Sequence, residues 1–220
     1  MASYTNILNH VRQWEGGLVY FPNENQWTNK GIQWNTYKAL APKLLGIANP
    51  TVEGLKKLTQ AQADKFIEYF WNIATYGNKI KDQAAANAFF QALWGSGTYG
   101  IKDLQKYLGV KADGVVGSKT VAAANALTNK AGLFVALEAR YRKLAQSSVY
   151  AKYLNGWLNR LNDLRNISGI KTSQPTTNKK DSTPKQSGDS GNNSFKWSKI
   201  ALYGGGIILL AYGLYKLKTR

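Results

Sequence analysis

The chain has 220 residues, 44% of them hydrophobic, and 29 Lys plus Arg stand against 12 Asp plus Glu for a formal charge of +17. That is enough apolar material for a sizeable core and excludes a wholly disordered chain; the absence of Cys excludes a disulfide framework, a Cys nucleophile and a thiolate metal site, and the lone His10, with no His partner, argues against a His-based one. The positive charge implies an anionic partner, and because it is carried mostly by scattered Lys, a cell wall or anionic lipid fits better than nucleic acid.

Taken in order, Ile7, Leu8, Val11 and Trp14 recur on one face of a first helix, with Ser3 or Thr5 available as cap and Gly16-Gly17 as stop. Glu15 sits at its last turn. There the negative end of the helix dipole and the neighbouring Trp14, Trp27 and Trp34 both work against a charged carboxyl, the setting a general acid needs. The bland alternative is a surface Glu ahead of a helix stop. The N-terminal run MASYTNILNHVRQWEGG lacks the basic start and long apolar stretch of a secretory signal.

Residues 35–45 have helical spacing at Tyr37, Leu40, Leu44 and Leu45, interrupted by Pro42. Thr59 and Gln62 form a capping box ahead of a helix whose apolar face is Phe66, Ile67, Phe70 and Trp71; such a stripe serves either as core or as a sugar-stacking wall. Residues 84–94 read as a helix ended by Gly95, Ser96 and Gly97. Ile101, Leu104, Gln105 and Leu108 mark a short helix stopped by Gly109, and Asp113-Gly114 makes a tight turn before a helix opening at Gly117-Ser118. Two further helices are expected near 133–145 and 149–166, the second directing Tyr150, Tyr153, Trp157, Leu158, Leu161 and Leu164 inward.

The segment Glu15-Gly16-Gly17 followed by Thr28-Asn29-x-Gly31-Ile32 resembles the signature of the N-acetylmuramidases of glycoside hydrolase family 108. The resemblance continues through Phe70-Trp71, the small-residue helix at 84–94, and Leu104-Gln105-x-x-Leu108-Gly109 with Asp113-Gly114-x-x-Gly117-x-x-Thr120, which is similar to the family's peptidoglycan-binding element. Trp157 and Arg160 resemble its end, so the likeness spans about residues 4–166. It implies a lysozyme-like, all-α fold that hydrolyses the β-1,4 bond between N-acetylmuramic acid and N-acetylglucosamine, with Glu15 as acid. The spacing of Glu15, Glu24 and Thr28 also resembles the Glu, Asp, Thr set of phage-type lysozymes, which implies that Glu24 and Thr28 hold a water opposite the acid and that the outcome is inverting. Trp27, Asn29, Trp34, Gln91, Trp94 and Asp113 complete the set as substrate-binding candidates. Two departures stand out: the loop FPNENQW replaces the usual Asp-Pro and Gly-Gly pairs, and Gln91 stands where the family commonly has Asp.

After Ser168 the composition turns to Ser, Thr, Asn, Lys and Pro, the signature of a disordered tether over 168–194. Residues 200–215, IALYGGGIILLAYGLY, are uncharged and flanked by Lys199 and Lys216; they read as a short single-pass membrane anchor in contact with lipid, with Gly204, Gly205 and Gly206 able to admit a partner helix. The expected organisation is a catalytic domain at 1–97, a peptidoglycan-binding element with closing helices at 98–167, the tether, and the anchor at 195–220. The expected partner is peptidoglycan, without nucleic acid, metal or cofactor. The catalytic domain then works on the cell-wall side of a membrane. Two alternatives stay open: a weak or inactive wall-binding anchor protein, and a muramidase carried by a phage or injection apparatus.

Overall fold

The computed structural model describes residues 1–22 and 25–171. Helix α1 (Tyr4–Trp14) buries Ile7, His10 and Val11 and ends at Glu15, whose backbone N–H still donates to the Val11 carbonyl while its own φ/ψ is already extended. The chain then makes a three-stranded antiparallel sheet in the order β1 (Val19–Phe21), β2 (Gln26–Asn29), β3 (Ile32–Gln33). Val19 pairs with Thr28, Phe21 with Gln26, Thr28 with Gln33 and Asn29 with Ile32. The β2–β3 turn is two residues long, with both Lys30 (φ 49°) and Gly31 (φ 79°) left-handed, the primed turn whose twist suits a tight hairpin. This sheet corrects the all-helical expectation for residues 19–33; the rest of the described chain is predominantly helical, as expected.

Helix α2 (Trp34–Leu45) runs through Pro42. The ring removes one hydrogen bond near the helix end, and the carbonyl it would have served belongs to exposed Lys38, where water can take its place. A short α3 (Val52–Lys56) leads to α4 (Gln60–Tyr69), which opens on the expected capping box: Gln62 N–H donates to Thr59 Oγ1 and Thr59 N–H to Gln62 Oε1. One turn of π-helix (Phe70–Ala74) follows. The Phe66, Ile67, Phe70 and Trp71 stripe is fully buried, so it is core and presents no sugar platform.

Helix α5 (Gln83–Tyr107) is the axis of the molecule. Its Ala-rich first half is buried on every side, because small side chains let other elements approach closely. It passes Gly95 and Ser96 and breaks at Gly97 (φ 57°, ψ −150°) before continuing to Tyr107; the two helices read from the sequence meet at this kink. Then come α6 (Ser118–Ala126), α7 (Ala131–Leu144), α8 (Ser148–Ala151) and α9 (Leu154–Ile167). The helix expected over 149–166 is therefore divided at Lys152 and Tyr153. Helix α5 packs on α7, α7 on α9, and α9 returns to α1. One hydrophobic core runs from Ile7 to Leu164 across the expected boundary at residue 97. Among the described residues no helix is long and apolar enough to cross a membrane; the apolar segment at 200–215 and most of the tether lie outside the described residues.

Candidate functional site

The site grows from the C-terminus of α1, where the turn to extended backbone at Glu15 sends its side chain inward toward α5 and α9. Trp94, on α5, donates its indole N–H to Glu15 Oε1 at 2.7 Å, and Arg160, on α9, places Nη1 2.9 Å from that same oxygen. The side chains of Glu15 and Arg160 are 4% and 2% exposed. No hydrogen bond among the described residues reaches Oε2. The Gly31 turn closes a third side: a Cβ built there would lie 2.8 Å from Trp94 Cζ2 and 2.9 Å from Glu15 Cδ. The tip of the hairpin thus rests against the carboxyl, and the Thr-Asn-Lys-Gly-Ile run meets both a backbone and a packing requirement for glycine. Trp94 is itself fixed by stacking on Phe90 and an edge contact with Phe70.

One turn along α9, Asp163 accepts from Trp14 Nε1 at 2.7 Å and pairs with His10 Nδ1 at 2.9 Å. Burial and the nearby Arg160 cation, opposed by the bond and charge of Asp163, lower the His10 pKa to about 4. On the other flank Gln91 donates to the Tyr141 hydroxyl at 2.8 Å. Burial, opposed by Gln91 and by the Arg160 and Arg140 charges, pushes the Tyr141 phenol up and keeps it protonated. Gln91 shares no hydrogen bond with Glu15.

The remaining candidates make no hydrogen bond to Glu15 among the described residues. Asn29 donates to the Leu55 and Lys56 carbonyls at 2.9 and 3.0 Å, so its amide ties β2 to α3. Trp27, on the same strand face, lies beside Tyr20 with Lys56 Nζ 4.6 Å above its ring. Thr28 points to the opposite face and is buried, its hydroxyl without a partner among the described residues. Trp34 packs half-buried beside Tyr37. Glu24 lies outside the described residues. Asp113 belongs to a separate knot: its Oδ1 accepts from Gln105 Nε2 and from Val115 N–H, while Gln105 also receives the Gly114 N–H and donates to the Val115 carbonyl. Burial works against the Asp113 charge, yet those two donors and the charge of Lys111 outweigh it and hold the carboxyl below the ordinary carboxylate range. The Leu-Gln and Asp-Gly motifs are thus spent on internal bonds. Among the described residues no three His, Cys, Asp or Glu side chains are grouped to hold a metal ion.

Comparison with known proteins bears on the half of the site supplied by α9. Residues 99–162 match the family described as a predicted peptidoglycan domain. Arg160 lies inside that match. Among solved structures, the chain is similar to that of Brucella abortus SagA, with 27% identity, a TM-score of 0.61, and coverage of 77% of this chain and 97% of that one. No curated protein matches the chain.

Arg160 is the residue that sequence reasoning left out of the site. The available signal was positional: Arg160 is a cation on the buried face made by Trp157, Leu161 and Leu164, and a cation on a buried face needs an anionic partner.

Proposed function

We propose that this protein acts on peptidoglycan as a lysozyme-like muramidase with Glu15 as its acid. The observation that carries the reading is the asymmetry of the Glu15 carboxyl: two donors converge on Oε1, and among the described residues none reaches Oε2. A proton cannot share Oε1 with two donors, so a protonated Glu15 carries it on Oε2. In the proposed reaction that proton passes to the glycosidic oxygen as the C1–O bond breaks and its electron pair goes to the leaving group. The sugar then acquires oxocarbenium character and a water adds to C1, losing its own proton. Thr28, with a hydroxyl that has no partner among the described residues, and Glu24 are the groups proposed to hold that water. The match of residues 99–162 to a peptidoglycan domain supports the choice of substrate, as does the net charge of +17 toward an anionic wall. The apolar run at 200–215 is proposed to tether the domain to a membrane.

A non-catalytic wall-binding reading is favoured by one feature, the ion pair that engages Glu15, since a charged carboxylate must first take up a proton before it can act as an acid. The products decide between the two. Purified peptidoglycan is incubated with the protein and the soluble fragments are reduced with borohydride. Reduced N-acetylmuramic acid ends are expected; reduced N-acetylglucosamine ends or anhydro-sugar ends would assign a different cleavage, and binding without fragments would favour the anchor protein.

A further inference from the structure

We infer that Arg160 is a positioning residue for Glu15, holding Oε1 so that Oε2 is the oxygen that delivers the proton, and that α9 of the peptidoglycan-domain segment is therefore part of the reaction centre. This rests on the muramidase reading and adds a role for the segment beyond wall binding. A buried guanidinium is tolerated only when paired, and Glu15 is the ion-pair partner that Arg160 has among the described residues. The acid nearest in sequence, Asp163 at i+3, is already committed to His10 and Trp14. Arg160 Nε and Nη2 are buried with no hydrogen-bond partner among the described residues. An arginine present only to brace two helices would have those groups satisfied by nearby carbonyls; this one spends its single short contact on one oxygen of the candidate acid. When Oε2 gives up its proton the carboxylate that forms is met by a cation and an indole N–H already in place, so no reorganisation accompanies the transfer.

The test uses the full chain as wild type, Arg160→Ala, Arg160→Lys, Trp94→Phe and Glu15→Gln, each with a thermal melt and a muropeptide-release assay. For Arg160→Ala we expect kcat to fall about 100-fold with KM within about twofold. Millimolar guanidinium ion is expected to recover about tenfold of that loss, while sodium or urea at equal concentration recovers none. Trp94→Phe removes the second donor to Oε1 without touching charge and is expected to lower kcat about tenfold. If the Ala variant does not fold, Arg160→Lys decides, since an ammonium keeps the charge but not the directed fork: a kcat about tenfold down supports the role and an unchanged kcat overturns it. A folded Arg160→Ala within about threefold of wild type, or a loss that guanidinium does not recover, also overturns it. A live wild type with a dead Glu15→Gln and unaffected Arg160 variants sinks this inference alone. Equal release by wild type and Glu15→Gln, or none by either, sinks the muramidase reading and this inference with it.

Discussion

Replacing Gly31 by Ala asks directly whether the hairpin tip braces the carboxyl. Two costs add at this position. The left-handed φ of 79° is strained for any L side chain by about 1–2 kcal/mol. The new methyl also falls at 2.8 to 3.0 Å from Trp94 Cζ2 and from Glu15 Cδ and Cγ, overpacking worth about 1–3 kcal/mol. Gly46 supplies the internal control, because its φ of 70° is nearly the same while a Cβ there meets nothing within 4 Å. Urea denaturation should therefore show Gly46→Ala losing about 1–2 kcal/mol and Gly31→Ala losing about 2–5 kcal/mol, the difference between them being the crowding. Because the displaced atoms belong to Glu15 and its donor, the folded Gly31 variant should also lose about 100-fold in muropeptide release, and Gly46→Ala none. Equal stability losses in the two variants, or full activity in Gly31→Ala, would refute the placement of the turn against the acid.

Two predictions concern a residue beside the site and one bonded to the separate Asp113 turn. His10 titrates near 6.5 in an unfolded chain and at about 4 in the fold, so the folded state holds the neutral ring: stability is intact above about pH 6.5 and falls as pH drops toward 4, by on the order of 3 kcal/mol at the limit. Chemical denaturation from pH 7.5 to 4 should show that slope, and His10→Asn, which retains a group near the Nδ1 position, should flatten it. Gln105→Leu leaves the Gly114 N–H and Asp113 without their buried amide partner, and a loss of about 2–4 kcal/mol is expected by urea titration.

Where signals are local, the sequence was a good guide. The Thr59 and Gln62 cap, the buried Phe66 to Trp71 stripe and the Gly-Gly stop after α1 each depend on residues a few positions apart, and each stands where spacing placed it. The sheet escaped notice because strands of two to four residues are too short to show alternation, although Asn-Lys-Gly carried the turn. The helix stop expected at Gly95, Ser96 and Gly97 is also local, and the backbone leaves the helical region at Gly97, the last of the three. The site itself was half legible: Glu15 stood out by its place at a helix exit, but its partners Trp94 and Arg160 come from α5 and α9, and no spacing rule pairs residues that meet only in the folded core. Asn29 and Asp113 show the converse, since a polar residue in a motif is as readily spent on a backbone carbonyl or a turn as on a ligand.

The central claim is that Glu15 is the acid of a peptidoglycan-cleaving site. The most direct measurement is the release of new reducing ends from purified peptidoglycan by the full chain and by Glu15→Gln, after matched thermal melts show both folded. Glutamine keeps the shape of the side chain and an acceptor for Trp94 but has no proton of carboxylic acidity to give. The account predicts release by the wild type and a loss of at least about 1000-fold in the variant, at the scale of a general acid together with its geometry. Undiminished release by a folded Glu15→Gln would contradict it.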